Sequence, residues 1–478
     1  MKTTSYNHGT ISGLTINGNL VSDGILSDEA GVINVNGAAN VEGSTATAKN
    51  LLPNETKNIL TATNGVTGNL KNSQTPTEIS GLLSETSNVE NNSVVVTAHA
   101  SNNIGVLNSE QSQAFFALDN MSTALRNDFR KAQLLPVYML DSANAGAALS
   151  QIGNSDAAQN ISLIQQNSVA NKVISDRLTT AFSTETVNFN VGGNNFADGD
   201  NGVVMGVNAD YPASVDNNFW IKFTKNWGDL KGGAKYHGSA ISGGYDRAFG
   251  ENLRGGIFIS YNTSNLGAKL SNDDIKDTRA GIYLGYHKDT DDAFIYIDGG
   301  KAKNKFNRAL PTLNLAANAN YDSKIFEIGG EYKRNLTPEK SMAISPFINL
   351  QYSHLKQDAY NETGAGIFNQ YVNSESNNYF AGTLGVEFKR VLEKGNYAAR
   401  IGVKHAFSGA NPKLNFRYEG DGYNYYTLKN NQNKTHFILT LSGENEFAHG
   451  WILGGDLGFQ KGSHDKDLSA SVILRKVW

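Results

Sequence analysis

The sequence predicts an all-β fold. It has a 12-stranded antiparallel transmembrane outer-membrane β-barrel over residues 217–478, an α-helix before it suited to span the pore, and a short β-helix-like segment at the front. Three observations predict the barrel. From Asn217 to Trp478 apolar side chains recur at every second position in runs of roughly 10 residues, the period of strands and not of helices. The opposite face of these runs is too charged for a packed core, as expected where lipid lies on one side and a wet lumen on the other. The breaks between runs alternate in length, the arrangement of a barrel with periplasmic turns and extracellular loops.

Taken in order, Met1 to about Val106 is rich in Asn, Gly, Thr and Ser, with small apolar points such as Ile11, Leu14, Ile16, Leu20, Ile25 and Ile33. Their spacing, with Asn-Gly pairs at 17, 36 and 64, matches the rungs of a parallel β-helix. The competing reading is a polar linker or disordered segment. Met1 to Leu20 has no apolar core of the kind a signal peptide carries, so the chain is expected to be a piece whose export signal lies upstream.

From Leu107 the pattern turns helical. Phe115, Phe116, Leu118, Met121, Leu125 and Phe129 recur at helical spacing, and Leu134, Leu135, Tyr138 and Met139 continue it, with a kink or boundary expected at Pro136. A further helix is expected over about 155–182. It is polar almost all round, with Gln159, Asn160, Gln165 and Gln166 among Ile161, Leu163, Ile164 and Val169, as suits a helix threading a wet lumen; an amphipathic surface helix is the alternative. Some 20 such residues, at ~1.5 Å each, would match the thickness of a membrane. Thr184 to Asn218 reads as a flexible connection.

Strands are expected near 217–227, 236–248, 252–264, 275–288, 292–304, 319–334, 341–356, 377–391, 396–408, 433–446, 450–462 and 466–478. Their even number is that of single-chain bacterial barrels. Breaks after the second, fourth, sixth, eighth and tenth are short. Those after the third, fifth, seventh and ninth read as long, above all Gln357–Ser376 and Gly409–Gln432. In the last run Leu468, Ala470, Val472 and Leu474 share a face, and the chain stops on Trp478. On the polar faces Arg279, Glu327, Glu331, Glu387, Arg400 and Lys404 are expected to project into the lumen, there to pair or to be solvated.

Composition narrows the function. With 49 Gly and 8 Pro, and aromatics in place of Met, the chain suits closely passing strands with interfacial rings. Its lack of cysteine removes disulfides, thiolate metal sites and a Cys nucleophile, and its net charge of -4 offers no footprint for nucleic acid. Asp198–Gly202 begins like a calcium loop, but its Gly falls early and Ala209 stands where the bidentate Glu belongs. Asn54-Glu55-Thr56 is a glycosylation triplet only in form. No nucleophile elbow or zinc motif is present, so no catalytic residue, cofactor or metal is expected and the protein is not read as an enzyme.

Several phrases in a fixed order then carry a resemblance. They are Leu107-Asn-Ser-Glu-Gln-Ser-Gln with Ala117-Leu-Asp-Asn, Ser175-Asp-Arg-Leu178, Phe219-Trp-Ile-Lys-Phe-Thr-Lys-Asn-Trp-Gly-Asp229, Gly243-Gly-Tyr-Asp-Arg247, Lys404-His-Ala-Phe407 and the terminal Trp478. From Leu107 onward the chain resembles the C-terminal translocator of classical monomeric autotransporters, the type Va secretion proteins, and 1–106 resembles the end of a passenger. The resemblance implies an outer-membrane barrel that exports and anchors its own N-terminal passenger at the cell surface, with 107–216 a helical linker. It implies outer-membrane lipid, the barrel-assembly machinery, periplasmic chaperones and the protein's own passenger as partners, and a monomer. Val472, Leu474 and Trp478 would carry the barrel-assembly signal, since Lys476 departs from the apolar residue usual there. Two alternatives stand beside it: a plugged porin or channel, and a surface adhesin or enzyme whose active part lies upstream of residue 1.

Overall fold

A computed structural model of the chain describes residues 3–125, 128–154, 156–166, 217–250, 252–338, 340–392 and 394–478. Near the N-terminus very short strands stack in parallel into three faces. Thr4–Asn7 is followed by Asn19–Ser22, Ala39–Asn40 and Val66–Thr67 on one, and Thr10–Ser12 by Ile25–Ser27 and Thr45–Thr47 on the second. Thr15–Ile16 is followed by Ile33–Val35 and Thr56–Ala62 on the third. No strand of two to four residues buries a core alone, but stacked they share one apolar interior in which Leu20, Leu26, Ile33, Val35, Ala46 and Leu60 are buried. The antiparallel pair Leu83–Glu90 and Ser93–Ala100 ends this coil.

Three helices follow. Helix α1 (Ser109–Ala124) opens on a capping box between Asn108 and Gln111, and it buries Ala114, Ala117, Leu118 and Met121. Helix α2 (Asp128–Tyr138) passes through Pro136 and stops at Tyr138, so the boundary falls two residues beyond the proline. Only two residues of helix follow the proline, so the N–H it lacks and the crowding of its ring against the Ala132 carbonyl interrupt little further helix. Helix α3 (Ser142–Ile152) is capped by Asp141, which accepts from the Asn144 N–H at 2.8 Å. Its small side chains gave no apolar periodicity to read. Coil and helices share one buried apolar core, joined where the Gly81 N–H donates to the Leu140 carbonyl at 2.9 Å and Lys131 pairs with Glu55 at 2.8 Å.

The remaining chain closes a barrel of twelve antiparallel strands. Strand 1 (Asn217–Asp229) pairs with strand 2 (Lys235–Phe249) and, across the seam, with strand 12 (Lys466–Val477). Strands 3 to 7 are Leu253–Gly267, Ser271–Lys288, Asp291–Leu310, Leu315–Arg334 and Met342–Gln357; strands 8 to 11 are Glu375–Leu392, Gly395–Ser408, Thr435–Ala448 and Trp451–Lys461. Closure leaves no sheet edge for lipid to meet.

The connections correct the expectation in one respect. Only those after the seventh and ninth strands are long, and they build a small separate sheet from Tyr360–Asn361, Gln370–Val372, Lys413–Tyr418 and Tyr426–Lys429. The breaks after the third and fifth strands are tight, because strands 4, 5 and 6 continue through them to 18, 20 and 20 residues. About 10 residues cross a membrane, so these strands stand well beyond it, and there both faces turn polar and the apolar alternation fades.

Before the barrel, a 3-10 turn (Asp156–Ala158) leads into helix α4 (Gln159–Gln166), which lies inside it. Of the helix expected over 155–182, residues 167–182 lie outside the described residues, as do the calcium-like stretch Asp198–Gly202 and the connection from Thr184 up to Asn217.

Candidate functional site

The functional region is the barrel interior and its occupied mouth. Strand alternation sets two environments. Ile257, Ile282, Leu284, Leu384 and Leu457 point out and are exposed, while Arg279, Glu327, Glu331, Glu387 and Arg400 point in and are buried. Five inward rings lie across glycines of the neighbouring strand: Trp220 on Gly244, Phe258 on Gly281, Tyr283 on Gly256, Tyr296 on Gly329 and Phe347 on Gly385. A β-carbon on any of these glycines would stand 2.5 to 2.6 Å from the ring. The glycines therefore make room for large side chains inside a narrow barrel.

Two of the inward charge clusters contain expected residues. In the first, Arg279 of strand 4 donates to Asp277 at 2.8 Å, to Glu327 at 3.4 Å and to the Ile164 carbonyl of α4 at 3.2 Å. Glu327 also accepts from Tyr296 at 2.7 Å and from Gln351 at 3.2 Å, and Gln351 reaches the Gln165 carbonyl at 3.3 Å. Gln165 in turn donates to the Asn377 carbonyl at 3.0 Å and accepts from the Asn377 side chain at 2.6 Å. Two carbonyls of α4, those of Ile164 and Gln165, are thus met by donors from the wall. In the second cluster Glu331 and Glu387 flank Arg400 at 2.6 and 3.5 Å, Lys333 pairs with Glu387 at 2.9 Å, and the guanidinium lies 4.0 Å over the Phe347 ring. Lys404 joins neither: it is half-buried, its ammonium 5.5 Å over the Tyr379 ring.

Sequence reasoning passed over Gln351, Tyr296 and Lys333. Lys333 shares the face of Glu327 and Glu331 by alternation alone and was there to be found. It also passed over Arg308, at the far end of strand 5. Arg308 grips Glu362 with two hydrogen bonds of 3.0 and 2.6 Å and donates to the Gln151 carbonyl of α3 at 3.0 Å; the Tyr418 hydroxyl reaches the Ile152 carbonyl at 2.8 Å. Cations and donors there meet the negative end of the helix dipole. The end of α3 is thereby fixed in the mouth, under the small loop sheet.

On the seam strand Val472, Leu474 and Trp478 all face outward and are exposed. Trp478 exchanges both backbone hydrogen bonds with Asn217, so the last residue completes the closure. Lys476 donates to the His449 carbonyl at 2.9 Å and lies 5.5 Å over the Trp451 ring, which places its charge at the turn end of the wall. Among the described residues no group of three or more His, Cys, Asp or Glu side chains is placed to hold a metal ion.

The family model described as autotransporter beta-domain matches residues 219–458, half of the chain. The chain belongs to the autotransporter β-domain family. As such a domain, the barrel sits in the bacterial outer membrane, exports the passenger joined to its N-terminal side and anchors it at the cell surface; the barrel itself is not catalytic. Among solved structures, it is similar to the translocator domain of the autotransporter NalP from Neisseria meningitidis (17% identity, 56% of this chain and 91% of that one, TM-score 0.48). It is also similar to the β-domain of the Bordetella autotransporter BrkA (14%, 55% and 100%, 0.45). A third is the transport unit of AIDA-I from Escherichia coli (11%, 55% and 90%, 0.33). No curated protein matches the chain. The five tight turns from Gly250 to Gly450 lie at one end of the barrel, and the loop sheet built by the connections after the seventh and ninth strands lies at the other.

Proposed function

We propose that 1–106 is the last part of the exported passenger, that 107–216 is a helical linker whose segment near 155–182 occupies the pore, and that 217–478 is the translocating barrel. The observation that carries this reading is the grip of Arg279 and Gln351 on the Ile164 and Gln165 carbonyls, wall to helix, inside the barrel. A wet lumen leaks ions unless something polar fills it, and α4 does so with its Ile164 and Gln165 carbonyls met by donors from the wall. The passenger leaves through the pore and its rungs fold outside, where a folded coil is too wide to slide back. The linker then stays as plug and tether.

Barrel assembly in this account reads Val472, Leu474 and Trp478, which lie on the outer face of the closing strand and are open to a partner before closure. Periplasmic chaperones hold the unfolded chain until the assembly machinery takes it, and the product works as a monomer without cofactor or metal. The lumen clusters of Arg279 with Glu327, and of Arg400 with Glu331 and Glu387, stiffen the pore around the helix. Any activity toward surface ligands belongs to the passenger.

The test joins an export signal and an epitope tag ahead of residue 1 and probes intact cells with antibody. The tag is expected outside. Purified Arg279→Ala protein, which leaves Asp277 and Glu327 without their cation, is expected to lose about 3–5 kcal/mol of stability and to conduct ions several-fold better in planar bilayers. A tag held in the periplasm beside a heat-modifiable barrel would instead establish the plugged channel.

A further inference from the structure

We propose that the outer wall of strands 4 to 7 is a binding site for a phosphorylated outer-leaflet lipid, its phosphates on a lysine row and an acyl chain in an apolar groove below.

The lysines are Lys276 on strand 4, Lys301, Lys303 and Lys305 on strand 5, Lys324 on strand 6 and Lys356 on strand 7, all exposed on the outward face. Their register is the unusual feature. Lys276 stands directly opposite Lys303, and Lys324 stands opposite Lys301 on one side and Lys356 on the other. Like charges directly opposite across an antiparallel pair, with β-carbons ~5 Å apart, destabilise a sheet. On the outward face of these strands, the acidic residues beside the row are Asp322, 2.6 Å from Lys301, and Asp274, opposite Lys305. Two carboxylates leave most of the charge of six lysines uncompensated by the protein. Ammonium groups on adjacent strands, ~4.8 Å apart, bracket phosphate oxygens well.

The height of the row selects the ligand. Lys301 lies ten positions beyond Asp291, where strand 5 begins, and Lys324 ten before Arg334, where strand 6 ends. At about 3.3 Å per residue and a tilt of ~45°, ten residues rise ~23 Å, close to the ~25 Å of a barrel's apolar band. The row thus begins where hydrocarbon stops on the outer side, at the level of lipid headgroups. Below it the outward residues turn apolar, and a groove of about 390 Å³ runs between Ile295, Tyr332, Ile348, Leu350 and Tyr352, its floor formed where Gly330 has no side chain. A soluble anion has no use for that groove. A lipid fills both features at once, and the two lie on the same strands.

The site rests on the barrel's place in the outer membrane and not on how the passenger moves. Full-length protein in neutral detergent micelles is titrated with purified lipopolysaccharide, with the same lipid stripped of its phosphates, with phosphatidylcholine and with inorganic phosphate at matched phosphate concentration; affinity is read by native mass spectrometry. Intact lipopolysaccharide alone is expected to bind tightly. A Lys301→Gln, Lys324→Gln, Lys356→Gln triple variant should bind about 100-fold more weakly, at ~1 kcal/mol per lysine and a factor of ten per 1.4 kcal/mol. The corresponding triple Arg variant should bind like the parent. If the triple Gln protein does not assemble, Lys324→Gln alone, with a lysine still on each side, is expected to bind about 5-fold more weakly by the same conversion. Equal binding of the stripped lipid, displacement by inorganic phosphate, or an unchanged affinity in the Gln variants overturns the proposal. Retained heat-modifiability and surface tag in those variants separate such a result from any failure of the translocator reading.

Discussion

Glu85, in the antiparallel pair that closes the N-terminal coil, has one carboxylate oxygen on the Ala48 N–H at 3.0 Å and the other without a hydrogen-bond partner among the described residues. Burial, first, and the nearby Asp28 carboxylate push its pKa up to about 7, while the Ala48 N–H pulls the other way. Because the folded pKa lies above the unfolded one of about 4.5, the folded coil holds the proton more tightly. Its stability is then full below about 4.5 and declines as pH rises toward 7. Protease resistance of the coil is therefore expected to be higher at pH 5 than at pH 8, and Glu85→Gln should remove most of that difference; the same pH slope in both proteins would remove Glu85 from the account. Glu85 could not have been picked out of the sequence, where it is one acidic residue in a polar stretch. Its burial depends on rungs that bring Ala48 and Asp28 beside it. Arg279, Glu327 and Arg400 were legible, by contrast, because strand alternation alone assigns a face to every residue. What alternation does not give is the partner. That Arg279 would meet α4, or Arg308 the end of α3, follows from how distant segments dock.

At the scale of elements, the twelve strands could be read from the sequence because lipid imposes a strict two-residue period on whatever it touches. The same dependence explains the misjudged ends. Strands 4 to 6 run on past the membrane to Ser271, Leu310 and Leu315, beyond the expected bounds of 275, 304 and 319, with Asp274, Lys305 and Asn307 on the outer face where apolar residues had stood; loss of the period there does not mean loss of the strand. Helix α3 escaped notice for a related reason, since Ala145, Ala148 and Leu149 bury a face too small to register as a stripe. A substitution on strand 4 probes the assignment of faces. Leu284 is exposed on the outer wall between Ile282 and Tyr286. Leu284→Arg should cost ~2 to 4 kcal/mol in a lipid refolding assay if it sits near the midplane, whereas Leu284→Phe should be nearly neutral. Equal tolerance of the two would mean that this face does not meet hydrocarbon.

For the whole molecule, the proposed path takes the chain from a folded coil outside, through α1 to α3 seated in the mouth, into a lumen where the wall grips α4. That path was only partly legible. The polar helix before the barrel signalled an occupied pore, but the closed mouth did not show, because it is assembled from Arg308, Glu362, Gln151 and Tyr418, which lie far apart in sequence. The chain's lack of cysteine offers a direct measurement. Gln165 and Asn377 touch across the lumen at 2.6 Å. A Gln165→Cys, Asn377→Cys protein, exported with a surface tag, is oxidised in intact cells, and the tagged molecules are examined for an internal cross-link by gel mobility. Cross-linking is expected in the surface-exposed population and none when the second cysteine is placed at Leu284 on the outer wall. Surface-exposed molecules that never cross-link at 165 and 377, or that cross-link as readily to the outer wall, would contradict it.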